Sequence, residues 1–182
     1  MYNNNNKKGL IIIYTGNGKG KTTAALGLAL RAAGHNLKIL ILQFIKGTLK
    51  TGELKAIEKL KPFVEIEQLG EGFIKFKDGK PVATKEQKNN ALKSFRYACG
   101  KIMSGLYDIV VLDEINNLID YNLISANEVA NIIINRPEKL SIILTGRNAS
   151  KKLIDIADTV TEMKEIKHAF NEGKRARKGI EY

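Results

Sequence analysis

LIIIYTGNGKGKTTAALG, Leu10 to Gly27, is the stretch on which the fold turns. Its first half is a continuous β-branched run, the pattern of a strand covered on both faces. Its second half, Lys21 onward, is rich in alanine and leucine and ends at Gly34, a helix stop. Between them lies Gly16-Asn17-Gly18-Lys19-Gly20-Lys21-Thr22-Thr23. Glycines at this spacing let backbone N–H groups converge on phosphate oxygens, and the helix N-terminus adds a fixed positive field. In a strand–loop–helix context Lys21 reaches for phosphate oxygens and the Thr22 hydroxyl for Mg²⁺. The usual G-x-x-x-x-G-K-[ST] pattern has glycine where this chain has Thr15, so Gly16 and Gly18 are expected to supply the turn.

Outward from this loop, similar apolar runs recur at Leu37–Phe44, Tyr107–Asp113 and Leu140–Gly146, with weaker strand patterns at Phe63–Leu69 and Asp158–Met163. Helices are expected between them. They cover Lys21–Ala33, Glu53–Lys61, Lys85–Met103, a segment from the Ser125/Glu128 capping box to Asn135, and a short piece after Ser150. In Lys85–Met103 the residues Leu92, Phe95, Cys99 and Ile102 form one apolar stripe. Strands alternating with helices predict a three-layer α/β, P-loop NTPase-like fold with a mostly parallel central sheet. Residues 1–8, with their asparagine run, read as a disordered segment, and 9–182 as a single domain ending in a charged, peripheral tail from 164.

The chain has 182 residues, enough for one well-cored domain. No apolar run approaches the ~18 residues of a membrane span. The N-terminal residues lack the apolar core of a signal peptide, and the single Cys99 excludes a disulfide framework. A cytoplasmic location is therefore expected, with Cys99 a small apolar residue on its helix. The net charge of +11 would attract nucleic acid or acidic partners, but the lysines are scattered rather than gathered on one element.

A second acidic signal supports nucleotide binding. IVVLDEIN ends a buried strand in Asp113 and Glu114, and carboxylates at the C-terminal end of a neighbouring strand lie where Mg²⁺ sits. Thr22, Asp113 and Glu114 are the candidate metal set. These features indicate a nucleoside triphosphate with Mg²⁺ or Mn²⁺ and leave open which bond breaks. Glu114 could polarise water in a hydrolase, whereas the cations Lys19 and Lys21 suit a triphosphate either held or expelled.

TGNGKGKTTAALG, LQFIKGTLKTGE, LGEGF, VVLDEIN, ILTGR and the closing LIDIADTVTEMKEIKHAFNEGKRARKGIEY occur in this order, and together they resemble the P-loop class of ATP:corrinoid adenosyltransferases. The resemblance runs from about Gly9 to Tyr182. It implies that the Co(I) of a corrinoid, cobalamin or cobinamide, attacks the 5′ carbon of ATP. Inorganic triphosphate then leaves intact, and ATP lies in the loop in reversed polarity. It further implies a homodimer, a flavodoxin-like electron donor, phosphate contacts from Gly16 through Thr22, Mg²⁺ near Thr22 and Glu114, and a nucleotide contact from Arg31. The aromatic wedge that strips the lower cobalt ligand maps onto Phe73, with Phe76 as the nearest second ring. Lys75 stands where the family commonly has tryptophan, and only about nine residues precede the first strand, fewer than many members carry. A strong cobalt nucleophile needs no general base, so His35 and His168 read as structural or solvated. Two rival functions remain: an ATPase acting on nucleic acid, for which no clear arginine finger or aromatic platform is visible, and a nucleotide-dependent corrinoid-binding module.

Overall fold

The computed structural model describes residues 8–45, 47, 51–70, 75–77 and 80–181, with backbone alone at 75–77 and 80. In chain order the elements are β1 (Ile11–Thr15), α1 (Lys21–Ala33), β2 (Ile39–Gln43), α2 (Gly52–Glu58) and β3 (Val64–Gln68). There follow β4 (Lys75–Lys77), β5 (Lys80–Val82), α3 (Lys85–Met103), β6 (Ile109–Asp113), α4 (Ile115–Asp120) and α5 (Ala126–Ile134). The chain continues through β7 (Ser141–Thr145), α6 (Lys151–Ile156) and β8 (Thr159–Glu162) to a 3-10 turn at Ala169–Glu172. The six expected strands all form, each within two residues of its expected ends. The β4–β5 hairpin, α4 and the 3-10 turn were not expected. The hairpin is three residues a side and antiparallel, too short for a period-2 pattern to register.

The central sheet has the order β3-β2-β6-β7-β1-β8, and every pairing in it is parallel. Its strands carry no polar alternation because both faces are covered. On β2, Leu40 and Leu42 enter one core with α3, α4 and α5, while Ile39 and Ile41 enter the other with α1 and α2. The same division sends Val110 and Leu112 of β6 one way and Ile109 and Val111 the other. On α1 the face against the sheet is Ala25, Ala29 and Ala32, at spacings of four and three. Such small residues let a helix approach a sheet closely.

Capping follows the sequence logic. Ser125 N donates to Glu128 Oε2 at 3.2 Å, and Asn127 N donates to Ser125 Oγ at 3.1 Å, so α5 begins where the capping box sets it. A second box, Thr84 with Gln87, starts α3 and was not anticipated. In the stripe on α3, Phe95 and Ile102 are buried, and Leu92 and Cys99 pack partly buried against the same core. Burial pushes the Cys99 thiol up, away from the thiolate form.

Parallel strands place all their C-terminal ends on one edge. From that edge the chain leaves β1 for the phosphate loop, β6 for Glu114 and β7 for Gly146 and Arg147. Between β1 and β2 the chain crosses over β7 and β6, making a topological switch point where α/β sheets bind ligands.

Candidate nucleotide site

The loop from Gly16 to Gly20 joins β1 to α1 in the strand–loop–helix arrangement expected from its sequence. Gly16 supplies the turn that Thr15 cannot. Its φ is +92°, and a Cβ there would stand 2.5 Å from Met163 O. At Gly18 the constraint is contact rather than φ, since a Cβ would lie 2.7 Å from the same carbonyl. The loop is clamped by the strand at the edge of the sheet: Met163 N donates to Thr15 O at 2.8 Å, and Gly18 N donates to Met163 O at 2.6 Å. Thr15 has its own function, accepting at Oγ1 from Ala149 N at 3.1 Å.

Lys21 arches back over the loop. Its ammonium donates to Gly16 O and Gly18 O, both at 2.7 Å. Burial depresses its pKa below the ordinary 10.5, and Arg147 adds repulsion, while Glu114 and Asp113 pull the other way. A cation held among a second cation and limited solvent is stabilised when an anion arrives.

Asp113 is fully buried and ties three strands together. Its Oδ1 accepts from Thr22 Oγ1 at 2.9 Å and from Thr145 Oγ1 at 2.6 Å, and its Oδ2 accepts from Gln43 Nε2 at 3.2 Å. The strand carrying Asp113 is not the direct neighbour of β1, as the sequence reading supposed, because β7 lies between them. Thr145 of that intervening strand bridges the gap, and its Oγ1 also accepts from Glu114 N at 2.8 Å. Glu114 adopts φ +68°, a left-handed turn at the head of α4.

A cleft of about 940 Å³ opens over these groups. It is lined by Asn17 through Thr23, by Glu53, Glu114 and Arg147, and by a wall from the C-terminal segment that includes His168, Phe170, Lys174 and Arg175. That segment was expected to be peripheral. Lys19 Nζ instead reaches across to Glu181 Oε1 at 2.8 Å and to Ile180 O at 3.2 Å, pinning the chain end to the phosphate loop. The Glu181 carboxyl is held below its ordinary pKa chiefly by that lysine.

Of the expected site residues, Asn17, Gly18, Lys19, Gly20, Lys21, Thr22, Thr23 and Glu114 line the cleft, with Gly16 and Asp113 immediately beneath them. Arg31 is exposed in the last turn of α1, ten residues and about 15 Å of helix beyond Lys21. It does not line the cleft among the described residues. Phe73 lies outside the described residues. Phe76 is in β4, opposite Pro81, and its backbone alone is described. His168 accepts at Nδ1 from Phe170 N at 3.2 Å, a capping role. His35 is exposed in the turn after α1. Arg147 and Glu53 were given no role from sequence, and the C-terminal segment was expected only to present Lys174, Arg175, Arg177 and Lys178 to an acidic donor, not to line a cleft. The motif strings ILTGR, LKTGE and KHAF carried them, but a motif string does not say which side chain faces a cleft.

Among the described residues no three or more His, Cys, Asp or Glu side chains form a metal cluster. Mg²⁺ commonly takes one or two carboxylates and completes its shell with phosphate oxygens and water. Thr22 and Glu114 at the cleft, with Asp113 orienting the Thr22 hydroxyl, fit that donor set.

Comparison with known proteins gives a consistent result. A model of the family described as ATP:corrinoid adenosyltransferase BtuR/CobO/CobP matches residues 7–182. The chain is 37% identical over 177 residues to "Corrinoid adenosyltransferase" of Escherichia coli strain K12, covering 97% of this chain and 87% of that protein. It is 37% identical over 176 residues to "Corrinoid adenosyltransferase CobA" of Salmonella typhimurium, with coverage of 97% and 87%. It is 39% identical over 186 residues to "Corrinoid adenosyltransferase" of Sinorhizobium sp, covering 100% of this chain and 84% of that protein.

Proposed function

The chain belongs to the ATP:corrinoid adenosyltransferase family, and from that membership we propose that it transfers the 5′-deoxyadenosyl group of ATP to the Co(I) centre of a corrinoid, releasing inorganic triphosphate. The observation that carries the proposal is the cationic phosphate cradle at one end of a cleft with room for more than a nucleotide's phosphates.

The bond changes balance without an added base. The cobalt electron pair forms the Co–C5′ bond, the C5′–O bond breaks, and its pair stays on the departing triphosphate. This chain has two tasks in that step, positioning and stabilising the leaving group. Lys21 leaves the loop carbonyls for phosphate oxygens, and Lys19 and Arg147 add positive charge. Bound Mg²⁺, held by Thr22 and Glu114, would neutralise part of the triphosphate charge. Asp113 acts through Thr22, Thr145 and Gln43, fixing where the hydroxyl points.

The family resemblance assigns the corrinoid-facing aromatic wedge to the stretch that carries Phe73. Phe73 and Phe76 are the rings of this chain that would exclude water from the lower face of the corrin, easing reduction of Co(II). Phe73→Ala then lowers activity that starts from Co(II) with a protein donor, while activity on pre-formed Co(I) largely survives. Parallel loss of both activities would remove the wedge role. Lys174, Arg175, Arg177 and Lys178 would steer an acidic, flavodoxin-like donor, and the assembly expected is a homodimer.

The test is incubation with ATP, Mg²⁺ and chemically reduced cobalamin or cobinamide. The proposal expects an alkylcobalt spectrum that light destroys. A nucleic-acid ATPase would give ADP and phosphate instead, and a binding module would give neither.

A further inference from the structure

The phosphate cradle accounts for the loop residues of the cleft and donor steering for the cations of the C-terminal wall, which leaves the aromatic ring on that wall without a task. We infer that Phe170 on this wall is the face against which the adenine base of ATP stacks, an assignment that rests on the transferase reading and adds the nucleobase contact to it.

The ring belongs to neither of the two hydrophobic cores. Phe170 is 76% exposed yet lines the cleft that the phosphate loop floors. Large aromatics usually bury most of their area, so a ring standing open in a concave, charged site is available for a ligand. Among the described lining residues the aromatic rings are Phe170 and His168, and His168 already caps the turn. A purine needs a flat π surface, and base–aromatic stacking is the common way for a protein to supply one.

The backbone that carries the ring is set in place before any ligand arrives. His168 Nδ1 accepts from Phe170 N at 3.2 Å. Gly173 N donates to Phe170 O at 3.0 Å, and Lys174 N donates to Ala169 O at 3.0 Å. Glu172 holds Lys167 at 2.6 Å and Lys174 at 3.1 Å, bracing the turn from both sides. The wall as a whole is tied to the cradle by Gly18 N on Met163 O and by Lys19 on Glu181, so the two contact points for one nucleotide are linked to each other. A turn already ordered loses less backbone freedom when a ligand binds.

The experiment measures equilibrium binding of two probes, ATP and inorganic tripolyphosphate, to wild type, Phe170→Ala and Phe170→Tyr without corrinoid present. Because the ring is exposed, its removal leaves the fold intact, which a thermal melt verifies. The assignment expects Phe170→Ala to weaken ATP about tenfold, the usual scale for one base–aromatic stack. Tripolyphosphate affinity stays unchanged, and Phe170→Tyr binds ATP as wild type does. Equal weakening of both probes would make Phe170 an anchor of the wall and overturn the assignment. Unchanged ATP affinity would overturn it too, including the case in which Phe170→Ala raises only the corrinoid KM. Wild-type protein that binds neither probe would overturn this assignment and the transferase reading together, whereas wild-type ATP binding indifferent to Phe170 overturns this assignment alone.

Discussion

The two edges of the central sheet use the same kinds of charged residue for opposite purposes. At the edge where strands begin, charge seals the fold. Arg136 is buried and donates to Gly9 O, Ile133 O and Leu140 O at 2.6, 2.8 and 2.8 Å. Asp158 accepts from Ile11 N at 2.7 Å and Asp108 from Lys38 N at 2.8 Å, each satisfying a backbone group at a strand start. At the edge where strands end, side chains bond to one another around Asp113, and Lys19, Lys21, Arg147, Lys174 and Arg175 face a cleft. Both Arg136 and Lys21 donate to backbone carbonyls, but Arg136 is enclosed, whereas Lys21 lines an open cleft beside a second cation, where an arriving anion can reach it. The difference separates an arginine that holds the fold from a lysine that faces the cleft.

Exchanging a residue at each edge tests that contrast, and the strongest effect is expected at Lys21. Lys21→Ala should lower kcat about 10²–10³-fold, the usual loss on removing one group that stabilises developing charge. Its thermal midpoint should stay near wild type; a kcat close to wild type would break the contrast. Arg136→Ala should do the reverse. Three buried carbonyls lose their donor, so stability should fall by about 3 kcal/mol in urea unfolding, with kcat per folded molecule unchanged. Glu114→Gln is a smaller change at the active edge. It should weaken the apparent Mg²⁺ affinity about tenfold in a titration of adenosyl transfer, and an unaltered titration would remove Glu114 from the metal set.

The depressed pKa of Lys21 gives a gentler test. Phosphate binding needs the protonated amine, and burial and Arg147 favour its loss. ATP affinity should therefore decline as pH rises, beginning below the ordinary lysine value of 10.5. Lys21→Ala, already without the cation, should lack this decline. The smallest effect expected is on donor-driven activity. If the basic wall steers an acidic donor, added salt should slow reduction from Co(II) and spare transfer to pre-formed Co(I). Equal salt sensitivity of the two assays would end the steering proposal.

The fold was legible because its signals are local and strong. Both-face burial makes β2, β6 and β7 continuous apolar runs, and the capping box at Ser125 and the stop at Gly34 bound their helices. The cradle was legible because glycines, Lys21 and Thr22 are adjacent in sequence. Strand order was not, and Asp113 was therefore set one strand too near β1, with Thr145 overlooked as the bridge. The C-terminal wall was read as periphery because its composition is that of a solvated tail. It is tied to the loop by Lys19 on Glu181 and Ile180 O and by backbone bonds of Met163 with Thr15 and Gly18, none of which has a composition signature. Arg31, close to the loop in sequence, stands in the last turn of α1 and is not among the described residues that line the cleft.

The central claim is that this cradle holds a leaving triphosphate rather than a scissile one. Phosphorus NMR of the products formed from ATP and chemically prepared Co(I) corrinoid tests it most directly. The account predicts one inorganic triphosphate for each alkylcobalt centre formed, with no ADP. ADP and orthophosphate appearing in step with ATP loss, with the corrinoid unalkylated, would contradict it.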